Sequence, residues 1–169
     1  SPTGYVWRSD DKGQNWEIFT KDIPNLGFED LVFDANDPNV IYLLTGDSDG
    51  GSSPFFGIFK TTDAGNNWTL LDGPDTETAS KLLAHPSISG RLILGSYRGV
   101  FFSNDSGLTW QNARNMSHNY DLVFDTENPN KLYAIDQDTL KVSLNSGESF
   151  QAIKVFDLEF AGRKKIALN

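Results

Sequence analysis

The chain has 169 residues, no cysteine, 14 Lys and Arg against 23 Asp and Glu, a formal net charge of −9 and 38% hydrophobic residues. That length supports one domain with a sizeable core, and the missing cysteine excludes disulfides and thiolate metal centres. The negative average field disfavours nucleic acid and anionic membrane surfaces; with no apolar run near the ~20 residues that span a bilayer, neither membrane insertion nor a signal peptide is expected.

In chain order, Gly4–Phe19 reads as two short strands around a tight turn, Ser9-x-Asp11-x-Gly13-x-x-Trp16. The residue types suit a turn. A short carboxylate bonds nearby backbone N–H groups, Gly tolerates positive φ, and the hydroxyl adds a second local bond. The aromatic ring gains only by packing on a neighbouring unit. The pattern returns as Thr61-Asp63-Gly65-Trp68, as Ser103-Asp105-Gly107-Trp110 and, with Asn in place of Asp, as Ser143-Asn145-Gly147-Phe150. Counted aromatic to aromatic, the intervals are 52, 42 and 40 residues, the spacing of four-stranded propeller blades.

A second signal lies upstream of three of these turns: an apolar run, an Asx/Pro turn and another apolar run. It reads Leu31-Val32-Phe33-Asp34 to Ile41-Tyr42, Leu82-Leu83-Ala84-His85-Pro86 to Arg91-Leu92-Ile93-Leu94, and Leu122-Val123-Phe124-Asp125 to Leu132-Tyr133. Each unit thus has strands A to D, numbered outward from the axis, with A at Leu31–Phe33, B at Val40–Leu44, C at Gly57–Thr61 and D at Trp68–Leu71 in the first. The unbroken apolar runs suit an A strand buried on both faces. A helix over Asp75–Ala84 competes with strand A of the second unit, and the repeat register favours the strand.

The expected fold is all-β, a β-propeller of four-stranded antiparallel blades. Three complete blades fall near 29–72, 80–113 and 119–153, with a partial blade at 4–19 and another at 155–169, in which Phe156–Phe160 and Lys165–Leu168 read as strands A and B. The whole reads as one section of a larger propeller whose remaining blades are its partners.

These octapeptides resemble the Asp-box, or BNR, repeat of sialidases, Asp-box xyloglucanases, sortilin-type ectodomains and large secreted bacterial surface proteins. The resemblance implies a propeller in which the Asp box is a turn motif remote from the ligand site, and a secreted or cell-surface location. The absence of cysteine points to a bacterial one. A non-catalytic binding or scaffold module, recognising protein or glycan, is the leading expectation from the sequence. An Asp-box glycoside hydrolase, xyloglucanase-like before sialidase-like, is the alternative, and an assembly factor resembling the photosystem II stability proteins follows. The sialidase Arg-Ile-Pro motif and arginine triad are not recognisable, and Arg8, Arg98 and Arg114 are scattered.

In an A–B–C–D meander the A–B turns and Asp boxes share one end, leaving the B–C and D–A loops to meet a ligand. The first B–C loop carries about ten extra residues, including Asp47, Asp49, Phe55 and Phe56. With Tyr97 and Arg98 of the second blade these are the candidate binding residues. Asp47 and Asp49 offer oxygen ligands to a possible calcium ion, though a bidentate Glu is missing; no other cofactor is expected. Paired with Asp136 or Asp138 they would make a glycosidase carboxylate couple. His85 and His118 lie far apart and form no metal or nucleophile constellation. The sequons at Asn67, Asn104 and Asn115 read as chance matches.

Overall fold

A computed structural model of the chain describes residues 4–24, 26–46, 54–118, 121–156 and 165–168. Among these residues there is no helix. A two-stranded hairpin, β1 (Trp7–Arg8) and β2 (Glu17–Ile18), comes first. Three four-stranded sheets follow, each antiparallel and each in simple sequence order. The first contains β3 (Phe28–Phe33), β4 (Ile41–Thr45), β5 (Ile58–Thr61) and β6 (Thr69–Leu71). The second contains β7 (Ala79–Ala84), β8 (Leu92–Ser96), β9 (Gly99–Ser103) and β10 (Gln111–Asn112). The third contains β11 (Asp121–Phe124), β12 (Leu132–Asp136), β13 (Thr139–Ser143) and β14 (Gln151–Val155). The Asp75–Ala84 stretch therefore contributes a strand from Ala79.

The period-2 alternation of side chains builds the stack. In β4, Tyr42 and Leu44 face Ala79, Leu82, Leu92 and Leu94 of the second sheet, while Leu43 turns the other way to Ile23 and Phe59. In β8, Leu92 and Leu94 face back to the first sheet, and Ile93 joins Leu122, Leu132, Ala134 and Phe150 of the third. Each central strand thus feeds two cores, and a one-residue slip would exchange them.

Burial on both faces falls on the middle strands, B in the first two sheets and also C in the second, rather than on A. All five residues of β4 and all five of β8 are buried, whereas most of β3 is half-buried and Phe33 is 55% exposed. The inner strand has a sheet neighbour on one side alone; the second strand lies between two strands within its sheet and between two sheets across its faces. Apolar continuity in Leu31-Val32-Phe33 belongs to that half-covered position.

Candidate binding face opposite the octapeptide turns

One end of the stack is closed by the repeated turns. In the second copy Thr61 Oγ1 donates to Asp63 Oδ1 at 2.7 Å and accepts the Gly65 amide at 2.9 Å, while Asp63 Oδ1 accepts the Asn67 amide at 2.8 Å. Ser9, Asp11 and Gly13 repeat this pattern, as do Ser103, Asp105 and Gly107. Asn145 serves with its amide oxygen, taking Ser143 Oγ at 2.8 Å and the Ser149 amide at 3.1 Å, while the Gly147 amide bonds Ser143 Oγ. All four glycines have φ between 86° and 89°, the left-handed region that Gly enters freely. These bonds favour the ionised carboxylate: side-chain donation from Asn67 and from Thr109 leads in holding Asp63 and Asp105, respectively, at about 2.

The turns also bind the A–B turns. In the last three copies the residue before the Gly sends its amide there, Ala64 to Asn39 O, Ser106 to Gly90 O and Ser146 to Asn130 O, at 2.8–3.0 Å. Across sheets, the Gly90 amide donates to Asp34 Oδ2 at 2.8 Å. Arg91, 4% exposed, donates to Asn104 Oδ1 and to Ser146 O, lies 3.3 Å from Glu148 Oε1, and sits over the Phe102 ring. His85 is buried beside it. Its Nδ1 accepts the Ser87 and Ile88 amides, so the ring proton sits on Nε2, facing Ser146 Oγ at 3.2 Å. Burial, then the Arg91 charge, lowers its pKa, keeping the imidazole neutral.

The aromatic positions differ. Phe150 is buried, Trp68 meets Phe19 of the preceding hairpin edge-on at 5.5 Å, Trp110 is half-buried with Nε1 bonded to Gly107 O, and Trp16 is 60% exposed.

The opposite end is built from B–C and D–A loops. Between β8 and β9 the chain turns on Tyr97 and Arg98, with Ser96 Oγ accepting the Arg98 amide and donating to Gly99 O, both at 3.1 Å. Arg98 reaches Asp75 Oδ2 at 3.1 Å and Glu77 Oε1 at 3.4 Å in the connection before β7. Tyr97 is 65% exposed and meets the His118 ring edge-on at 4.5 Å. Together with Phe101, Asn112 and Ser117 they line an open hollow of about 480 Å³. His118 Nδ1, buried within this group, has no hydrogen-bond partner among the described residues.

Phe55 and Phe56 divide. Phe55 packs its ring on Gly73 and bonds its amide to Glu77 O, while Phe56 is 55% exposed. Asp47 and Asp49 lie outside the described residues. In the third sheet Asp136 is buried and lies 2.6 Å from Lys141 Nζ, which also donates to Asn115 O. Asp138 is exposed and accepts from Thr139 Oγ1. Arg8 is engaged at the first hairpin by Asp10 and Glu17, far in sequence from Arg98. Among the described residues no three His, Asp or Glu side chains are grouped to hold a metal ion. Asp75, Asn112 and His118 were missed by sequence reasoning: they come from separate loops with no common spacing.

No family model matches the chain. Over 95 residues it is 28% identical to a xyloglucanase of a Paenibacillus species, a match that takes in 55% of this chain and 9% of that protein. Among solved structures, the GH74 enzyme of Niastella koreensis superposes with a TM-score of 0.68 and 24% identity over 91% of this chain and 27% of the enzyme. The GH74 xyloglucanase of Xanthomonas campestris does so with 0.66 and 21%, over 90% and 27%. The YCF48 protein solved with a D1 peptide gives 0.59 and 14%, over 88% and 46%. The chain thus spans 9% of the curated relative's length and about a quarter of each GH74 enzyme. At these identities the structural likenesses carry the fold: the chain is part of a β-propeller, with sheets stacked as propeller blades.

Proposed function

We propose that this chain forms blades of a xyloglucanase-like glycoside hydrolase and that its open end supplies part of the glucan-binding surface. The observation that carries the reading is the 28% match to a xyloglucanase, and the hollow at Tyr97 is consistent with it. Sugar rings present C–H faces that stack on an exposed aromatic ring. Their hydroxyls pair with the donors and acceptors of Arg98, Asp75, Asn112, Ser117 and His118. The sequence alone leaned to a non-catalytic scaffold, and the comparisons favour its hydrolase alternative.

Hydrolysis needs two carboxylates about 5–10 Å apart. Of the third-sheet carboxylates Asp138 suits this better, because Lys141 engages Asp136. Its partner in this reading is Asp47 or Asp49.

Calorimetric titration with a xyloglucan oligosaccharide, with a sialylated oligosaccharide as control, tests the proposal. Saturable binding of the neutral ligand is expected, weakened about tenfold by Tyr97→Ala, which corresponds to about 1.4 kcal/mol. No heat at millimolar neutral ligand, or equal binding of the sialylated one, overturns it.

A further inference from the structure

Two inner-strand carboxylates make the same contact in different sheets. Strand β7 is an edge of its sheet, and its Leu82 amide turns outward along that edge. Asp30 of β3 supplies an acceptor. Its Oδ2 takes the Leu82 amide and the Lys81 ammonium, each at 3.2 Å, while Oδ1 takes the Leu31 amide at 3.0 Å. Asp121, the first residue of β11 and 6% exposed, repeats the arrangement: Oδ2 accepts the Ile166 amide at 2.9 Å, and Oδ1 lies 3.7 Å from Lys165 Nζ. A carboxylate that meets an amide and an ammonium together makes a stronger contact than a neutral acceptor.

The residues around these contacts sort into the same two kinds. Asp30-Leu31-Val32-Phe33-Asp34 matches Asp121-Leu122-Val123-Phe124-Asp125, and Lys81-Leu82-Leu83-Ala84 matches Lys165-Ile166-Ala167-Leu168. The junction between the second and third sheets is of another sort, made by Arg91 and His85 against Ser146.

We infer that Lys165–Leu168 is the inner strand of a fourth blade, seated on Asp121 as Ala79–Ala84 is seated on Asp30. The blades then alternate between an Asp-bearing and a Lys-bearing inner strand, so the propeller repeats in pairs of blades. Sequence alone placed strand A of the last unit at Phe156–Phe160, of which 157–160 lie outside the described residues, and made Lys165–Leu168 strand B. The Asp121 contact assigns the inner position to Lys165–Leu168. This inference is independent of any glucan reading.

Amide hydrogen exchange on the whole chain tests it. The Ile166 amide is expected to be protected, and Asp121→Ala to speed its exchange at least ~10-fold while leaving Leu82 unchanged; Asp30→Ala does the converse. Should Asp121→Ala not fold, Lys165→Asp changes an exposed side chain and sets two carboxylates together, so faster exchange at Ile166 is again expected, whereas Lys165→Arg leaves the rate within about twofold. Exchange of Ile166 at the rate of an unstructured peptide, or a rate indifferent to both Asp121→Ala and Lys165→Asp, would overturn the inference.

Discussion

The two ends of the stack use their loops in opposite ways. At the octapeptide end the turns bond their own amides, and those of the three four-stranded sheets also bond another turn, with Arg91 and His85 buried beneath. At the other end Tyr97 and Phe56 stand more than half exposed, and His118 keeps a buried nitrogen without a partner among the described residues. A turn whose hydroxyl, carboxylate and amides bond one another has fewer polar groups left for a ligand, although Trp68 Nε1 and Arg91 Nε have no hydrogen-bond partner among the described residues; a loop end with exposed rings offers a ligand more. Turns bonded to one another at one end and exposed rings at the other separate the closed end from the proposed binding end.

The comparison breaks most visibly at Arg91. Arg91→Met removes the donor to Ser146 O and Asn104 Oδ1 while keeping an unbranched apolar stem, and a loss of about 3 kcal/mol is expected. For a chain of this size that lowers Tm by roughly 6–12 °C, measurable by calorimetry. An unchanged Tm would remove Arg91 from the account of the closed end.

Gly90→Ala comes next. The glycine has φ +72°, and a Cβ there would lie 2.6 Å from Ser106 Oγ, next to the amide that bonds Gly90 O. The backbone strain and contact are expected to cost about 2 kcal/mol in a denaturant titration. At the open end Tyr97→Ala is expected to change stability by no more than about 0.5 kcal/mol, since the ring is mostly in solvent.

The smallest effect sharpens the comparison within the closed end. Asp63 and Asp105 sit at about 2 against an ordinary 3.8. Their stabilisation is therefore present above that ordinary value and fades as pH falls towards 2. Asn145 already does the same work with an amide that donates to Ser149 Oγ, and Thr109 offers Asp105 an equivalent hydroxyl. Asp105→Asn is accordingly expected to be tolerated at neutral pH and to flatten the acid limb of a Tm against pH curve. An unaltered acid limb would show that this carboxylate does not contribute to it.

The closed end was legible in the sequence because its chemistry is local: hydroxyl, carboxylate and glycine lie within a few positions, and four copies fix the strand order. Of the residues that line the open-end hollow, sequence reasoning named Tyr97 and Arg98, which a single short loop carries. His118 gave no signal, because its meaning lies in the Tyr97 ring across the hollow, and Asp75 and Asn112 are ordinary surface residue types until Arg98 and the hollow bring them together. The burial of strand A was misjudged for a related reason. An apolar run records that a strand is covered, and it takes the stacking of sheets to show that β4, β8 and β9 are covered on both faces.

The division between the two ends is tested most directly by mapping which backbone amides shift in an NMR titration of the chain with a xyloglucan oligosaccharide. The account predicts shifts confined to the open end, around Phe56, Asp75, Tyr97, Arg98, Asn112 and His118, with the turns at Thr61–Trp68 and Ser103–Trp110 unmoved. Saturable shifts centred on those turns, with Tyr97 and His118 unmoved, would contradict it.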